Sequence, residues 1–292
     1  MFLKGFFSKL TAKYWTIGFT ERKPVEDLRF SDIKWVKCPK GEWFADPFIL
    51  DYDDNTITLL VENVIHPDPI GKIAKLVIDR KNLKIVSKTI VLSLSTHLSF
   101  PVIVHKEDGT YFYPENSASG ELNVYKLNSD ATSCDMLCTL VKAPLTDAII
   151  FEHEGKYIMT ATIEPDSNGN HMQIYSSEEE FGNYTFIRDI YLDNNTARNA
   201  GYTLKKSSGL YYKISQENDF PVYGHGMVFY EVTPDMKYMR EINRIQPGKG
   251  FVGVHTMNPY RNLIVWDGKK YRYPAIALFI EKLSKKAKLL IR

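Results

Sequence analysis

Trp43-Phe44-Ala45-Asp46-Pro47-Phe48-Ile49-Leu50 is the stretch whose reading decides the fold. An Asp-Pro pair stands directly before an apolar run. The proline favours an extended entry, so a β-strand opens here with one carboxylate at its start. Four later segments take the same place: Phe100-Pro101-Val102-Ile103-Val104, Asp147-Ala148-Ile149-Ile150-Phe151, Asn199-Ala200-Gly201-Tyr202-Thr203 and Val254-His255-Thr256-Met257-Asn258. Asp46, Pro101, Asp147, Ala200 and His255 thus mark a degenerate repeat with a period of about 50 residues.

Each segment runs into a polar turn and a second β-prone run. The turns are Asp53-Asp54-Asn55, Glu107-Asp108-Gly109, Glu154-Gly155, Ser207-Ser208-Gly209 and Arg261-Asn262. Five hairpins at this period, each with room for two more strands and none for a helix, indicate the blades of a propeller. The predicted fold is therefore all-β, a single five-bladed β-propeller domain over residues 1–292. Two further strands, Tyr14 to Thr20 and Ile33 to Cys38, precede the first blade, while the last blade runs out after Tyr271. The N-terminal strands are expected to complete that last blade and close the ring, with residues near 14–20 paired to residues near 263–273, because closure removes free sheet edges.

Both ends carry apolar residues at helical spacing among lysines: Phe2, Leu3, Phe6, Phe7 and Leu10 at one, Ile276, Phe279, Ile280, Leu283, Ala287 and Leu290 at the other. Residues 1–13 and 275–292 read as short basic amphipathic helices that either pack on the propeller or rest on an anionic membrane surface. Net charge is +2, too near neutral for a nucleic-acid partner to be expected. The three cysteines, Cys38, Cys134 and Cys138, fit reduced thiols better than a disulfide framework or a zinc site. No stretch approaches the roughly 18 apolar residues of a spanning helix. The expected location is cytoplasmic, with the inner membrane face as a resting place for the ends.

In a propeller the first strands of all blades line the central channel, so residues at their starts converge from distant points in the chain. That set is Asp46, His97, Asp147, Arg198 with Asn199, and His255. The returning second strands would add Glu62, Glu115, Thr162, Gln216 and Asp267.

These segments resemble the five-bladed propeller glycosidases of the arabinanase and β-xylosidase type, through Ala45-Asp46-Pro47-Phe48-Ile49 and Asp147 to Tyr157. The resemblance implies a general-base role for Asp46 and an orienting role for Asp147. The family's general acid is a glutamate that opens blade four, and this chain has Arg198-Asn199-Ala200-Gly201 there. Over nearly the whole chain the sequence is also similar to the propeller domain at the N-terminus of plant glucosamine inositolphosphorylceramide transferases and their bacterial relatives. That similarity rests on Trp15-Thr16-Ile17-Gly18, Trp43 to Phe48, His97 to Pro101, Ala197 to Gly201, Tyr223-Gly224 and Gly253 to Thr256. It implies a setting of surface-polysaccharide or glycolipid assembly.

Three functional readings follow. In a glycosyltransferase, Asp46 would deprotonate the acceptor hydroxyl and Asp147 would position substrate. Arg198 would hold the phosphate of an activated sugar, whose departure needs no proton donor. A glycoside hydrolase would need its acid from elsewhere, with Glu115 or Glu62 the candidates. In a non-catalytic glycan-binding or scaffolding module, the carboxylates would form a sugar-binding floor. Glu62, His97, Glu115, Asn199, Gln216 and His255 are assigned to substrate binding, and the partner is a sugar or sugar phosphate. No metal site and no cofactor is expected; a channel calcium ion on Asp46 and backbone carbonyls is an alternative that no loop motif marks.

Overall fold

The computed structural model describes residues 12–219, 222–277 and 279–280. The chain opens with β1 (Lys13–Glu21), two 3-10 turns at Val25–Asp27 and Phe30–Asp32, and the short β2 (Lys34–Trp35). Blade one is β3 (Glu42–Tyr52), β4 (Thr56–Ile65), β5 (Lys72–Asp79) and β6 (Ile85–Leu92). In blade two, β7 (Ser99–Lys106), β8 (Gly109–Glu115), β9 (Leu122–Leu127) and β10 (Cys134–Val141) follow. Blade three holds β11 (Leu145–His153), β12 (Lys156–Ile163), β13 (His171–Ser177) and β14 (Thr185–Tyr191). Blade four holds β15 (Leu204–Lys205), β16 (Tyr211–Asp219), β17 (Val222–Val232) and β18 (Met239–Ile245). The remaining strands are β19 (Phe251–Gly253), β20 (Met257–Tyr260) and β21 (Leu263–Tyr271).

Four sheets are antiparallel four-strand meanders in sequence order. In the fifth sheet, β1 pairs antiparallel with β21 over Lys13↔Tyr271 to Glu21↔Leu263, so strands from the two ends of the chain share one blade. The protein is thus all-β with five blades. A helical turn begins at 274, and no described helix is long and apolar enough to cross a membrane. The helices expected at 1–13 and 275–292 fall largely on residues 1–11 and 281–292, outside the described residues.

Side chains of adjacent blades fill the space between sheets. Phe48 of blade one meets Phe100 of the neighbouring blade two edge-on at 5.2 Å, and it also reaches Tyr202, from the non-neighbouring blade four, at 5.2 Å. Trp266 is fully buried, and its indole N–H donates to Thr20 Oγ1 at 2.9 Å.

The inner strands show where the repeat is in register. Asp46, Phe100 and Asp147 all have left-handed backbones, with φ of 48°, 44° and 44°. Each lies inside a register shift, at Ala45/Phe48, Ser99/Val102 and Thr146/Ile149. The equivalent of Asp46 in blade two is therefore Phe100 and not Pro101. The bulge turns the side chain out of the normal alternation, and in blade two it delivers an apolar filler where blades one and three deliver carboxylates. The rung beside each bulge is conserved in geometry too: Ala45 faces Glu62, Ser99 faces Glu115 and Thr146 faces Thr162.

Blade four departs from this plan. Its inner segment keeps only the bridge Asn199↔Ser215 and the short β15. Here the chain presses on blade five: Met257 N–H donates to Ala200 O at 2.7 Å, and a Cβ on Gly201 would stand 2.0 Å from Met257 O. Gly201→Ala is expected to cost about 1–3 kcal/mol, as forced repacking against fixed backbone does; urea unfolding checks it, and a change below half a kcal/mol would mean that the two blades part freely.

Candidate acid-base pocket

The bulged inner strands and their rung partners bring their side chains to one mouth of the channel. A cavity of about 340 Å³ opens there, with Asp46, Glu62, His97, Glu115, Arg198 and His255 in its lining. Its walls are completed by Trp15, Trp43 and Tyr223, with Ser99 and Asn168 between them. Six of the nine residues given a catalytic or binding role from the sequence thus line one cavity. Asp147, Asn199 and Gln216 are buried to 1% exposure or less and lie behind that lining.

Asp46 holds the centre. Its Oδ1 accepts from Thr256 Oγ1 at 2.5 Å and its Oδ2 from Phe100 N–H at 3.3 Å. Asp46's own N–H donates to Asp267 Oδ2 at 3.1 Å. Asp267, fully buried, also accepts from the backbone N–H groups of His255 and Thr256, each at 3.0 Å, and from His255 Nδ1 at 2.6 Å. The last blade therefore fixes both the backbone of Asp46 and the imidazole beside it. Burial raises the Asp46 carboxyl to about 7; the His255 charge opposes this, and Asp147, Glu62 and Asp267 add to it. Burial disfavours the His255 imidazolium, but Asp267 and Asp46 outweigh it, so the pKa is raised. Trp15 stacks on that ring at 3.9 Å, and Tyr223 meets it edge-on at 5.2 Å.

Arg198 is the second hub. Its Nε donates to Asp147 Oδ2 at 2.6 Å and one terminal nitrogen to Glu115 Oε2 at 3.0 Å. The other terminal nitrogen bonds Asn168 Oδ1 at 3.1 Å and Ser167 Oγ at 3.4 Å. The fork reserved for a phosphate in the sequence reading is thus taken up by two carboxylates and two neutral groups. One positive charge serves two acids. Glu115, largely buried at the cavity wall, is raised well above the ordinary carboxylate range by burial; Arg198 opposes this, and Asp147 and Asp46 reinforce it.

Asn199 and Gln216, assigned to substrate binding from sequence, instead brace Asp147. Asn199 Nδ2 donates to the carbonyl oxygens of Asp147 and Thr160, each at 2.8 Å, while its Oδ1 accepts from Lys213 Nζ at 2.7 Å. Gln216 Nε2 donates to Asp147 Oδ2 at 2.5 Å. Asp147 lies in the blade-three bulge, between the rungs at Thr146 and Ile149, and these two amides from blade four supply hydrogen bonds to it, which is the physical reason they face inward. At the opposite wall His97 Nε2 meets Glu62 Oε1 at 2.9 Å, and Gly71 N–H donates to its Nδ1 at 3.0 Å. That backbone donor leaves no room for a proton on Nδ1, so the ring stands as the Nε2–H tautomer and gives Glu62 its hydrogen bond. Glu62 still raises the ring's pKa, against the opposition of burial.

Asp46, His255 and Asp267 each offer a ligand atom, all within 4.8 Å of one another. A cation there would have to displace the short His255–Asp267 hydrogen bond. A larger hollow, about 670 Å³, lies at the far ends of the inner strands, lined by Leu50, His105 and Tyr260 among others. It has none of the buried ionisable clusters that mark chemistry. The smaller cavity is therefore the candidate site.

The raised carboxyl has a consequence for stability. Asp46 stays protonated in the fold up to about pH 7 but ionises near 4 once unfolded, so its contribution is complete below pH 4 and is lost as pH rises through 7. His255, also raised, acts in the same direction above its unfolded pKa. The unfolding free energy of Asp46→Asn should therefore fall less between pH 5 and 8 than that of the wild type, by an amount on the order of a few kcal/mol. Parallel pH profiles for the two proteins would contradict a buried, protonated Asp46.

With this geometry in view, the chain can be set beside known proteins. The sequence model of the family described as glucosamine inositolphosphorylceramide transferase 1, N-terminal, matches residues 33–277. Glucosamine inositolphosphorylceramide transferase 1 of Arabidopsis thaliana is 35% identical over 68 residues, which is 23% of this chain and 9% of that protein. The match thus spans a small part of that relative's length. Among solved structures, a GH43 β-xylosidase/α-arabinofuranosidase from a compost microbial metagenome, in complex with xylotriose, aligns over 75% of this chain and 82% of its own, with TM-score 0.54 and 13% identity. The exo-β-1,3-galactanase of Phanerochaete chrysosporium with β-1,3-galactotriose aligns over 69% of this chain and 49% of its own, with TM-score 0.53 and 11% identity. A GH43 β-1,3-galactosidase with galactodeoxynojirimycin aligns over 78% and 90%, with TM-score 0.52 and 10% identity. At such identities the likeness is one of fold.

Proposed function

The chain belongs to the family of glucosamine inositolphosphorylceramide transferase N-terminal domains, and from that premise we propose that its pocket binds a sugar unit during surface-polysaccharide or glycolipid assembly. Asp46 acts there as the general base that takes the proton of an acceptor hydroxyl. The observation that carries this reading is the meeting of three carboxyls, Asp46, Glu62 and Glu115, with the aromatic walls Trp15, Trp43 and Tyr223 in one small cavity. Carboxylates accept from sugar hydroxyls, and aromatic faces cover the apolar side of a sugar ring. A base titrating near 7 is also well matched to its task. The two cations of the lining, Arg198 and His255, already face carboxylates at 3.0 Å or less, so the cavity suits the sugar ring itself rather than a phosphate.

A second reading is supported by Glu115. A carboxyl that burial raises well above the ordinary range, in the same cavity as Asp46, is suited to be the acid of a hydrolase in place of the missing blade-four glutamate. Both readings require sugar binding. A thermal-shift screen of the wild type and Trp43→Ala against neutral mono- and oligosaccharides tests that requirement. The expected result is a saccharide that raises the wild-type melting temperature by several degrees, about 2.7 kcal/mol at a hundredfold excess over its Kd, and loses most of this effect in the variant. Equal shifts in both proteins, or none in the wild type, would overturn the assignment of the cavity to a sugar.

A further inference from the structure

Among the described residues, positive charge without a carboxylate partner near this cavity sits on the rim formed by blade five. In the pairing of β1 with β21, Lys269 stands opposite Trp15 and Lys13 opposite Tyr271. Residues opposite one another in an antiparallel pair, and those two apart on a strand, share a face, so both lysines lie on the Trp15 side. Lys269 Nζ stands 5.1 Å from the centroid of Trp15 and 6.0 Å from that of Tyr223, two walls of the cavity. Lys270 and Arg272 stack on Tyr14, at 5.6 and 5.3 Å, on the other face of the same strand pair.

None of these four cations has a carboxylate oxygen within 4.0 Å among the described residues. The contrast with Arg198 and His255, both held by acids, is plain. Lys269 is also half-buried, and burial, with repulsion from Lys13 added, lowers its pKa. A desolvated ammonium beside a second one is a costly arrangement that an incoming anion relieves.

We propose that Lys269, with Lys13 beside it, receives a phosphate group joined to the sugar that occupies the cavity. The ligand class is a phosphorylated sugar, free or as the head of a glycolipid, and Lys270 and Arg272 extend the positive field behind the rim. The proposal rests on the sugar-binding reading and moves the phosphate contact from Arg198 to the last blade.

The test is calorimetric binding to matched pairs: glucose, galactose and N-acetylglucosamine, each against its 1-phosphate, with wild type, Lys269→Gln and the double variant Lys13→Gln/Lys269→Gln. At low salt one 1-phosphate is expected to bind the wild type about tenfold tighter than its neutral sugar, with the gap shrinking as ionic strength rises. The gap should narrow in Lys269→Gln and close in the double variant, while affinity for the neutral sugar is kept. Equal affinity within every pair, or a gap that survives in the double variant, would overturn the phosphate site and leave the sugar reading standing. Phosphates bound through the lysines with no contribution from the sugar would instead sink the sugar reading. Vesicles of anionic phospholipid form a separate arm: sedimentation with them that the double variant loses, without a gap in any sugar pair, would assign the rim to a membrane surface and refute the proposal.

Discussion

Replacing Arg198 by methionine is expected to lower the free energy of unfolding by about 3–5 kcal/mol at pH 8, the range for removing one partner of a buried ion pair. The guanidinium is 7% exposed and is the shared partner of Asp147 and Glu115, which come from different blades. Without it, two acids remain in a space from which water is largely excluded. Protonation of Glu115, whose carboxyl burial already raises, can relieve this, so the deficit should shrink at pH 5. Adding Glu115→Gln to Arg198→Met removes one of the stranded charges and should recover part of the loss, which a double-mutant cycle reads as coupling. Urea titrations at the two pH values measure all of this. A deficit under 1 kcal/mol at pH 8 would mean that Arg198 is a solvated side chain and not the tie between blades.

The second large effect concerns chemistry. With a saccharide that binds, Asp46→Asn should reduce glycosyl transfer or release by about 10²–10⁴-fold, the usual worth of a positioned general base. Asparagine keeps the shape and tolerates the left-handed backbone, φ 48°, that Asp46 adopts. Alanine would confound lost chemistry with strain. Because the base must be ionised to act, the wild-type rate should rise as pH passes through about 7. A variant that turns over at more than a tenth of the wild-type rate would remove Asp46 from the mechanism. Absence of turnover in both proteins, with affinity unchanged, would identify a binding module.

The repeat carried most of the fold because its signals are local. An acid or polar residue before an apolar run, a turn and a second run recur five times, and each needs only its own neighbours to form. Once blades are granted, convergence follows from geometry, which is why Asp46, Glu62, His97, Glu115, Arg198 and His255 could be grouped from sequence although Asp46 and His255 stand at opposite ends of the chain. What stayed hidden depends on contacts between blades. Phe100 takes the bulge position because of a one-residue register shift that spacing cannot reveal. Asn199 and Gln216 turn away from the cavity because their amides reach across to Asp147, which sits in the bulge of blade three. Trp15, Trp43 and Tyr223 stand in segments that carry the family resemblance, but nothing in the sequence assigns them to the site; their place in the cavity wall does. Arg198 was visible as a departure from the glycosidase pattern, but that its charge would be spent on Asp147 and Glu115 needed the folded arrangement.

The central claim, that Asp46 faces a sugar ligand while poised to gain or lose a proton, is tested most directly by calorimetric titration of the wild type and Asp46→Asn with the stabilising saccharide. The titrations are run at pH 7 in buffers of different ionisation enthalpy. The account predicts that the wild-type binding heat changes with the buffer, because the ligand shifts the proton occupancy of Asp46, and that this dependence shrinks markedly in Asp46→Asn although the saccharide still binds. Binding heats that are independent of buffer in the wild type, or equally dependent in both proteins, would contradict it.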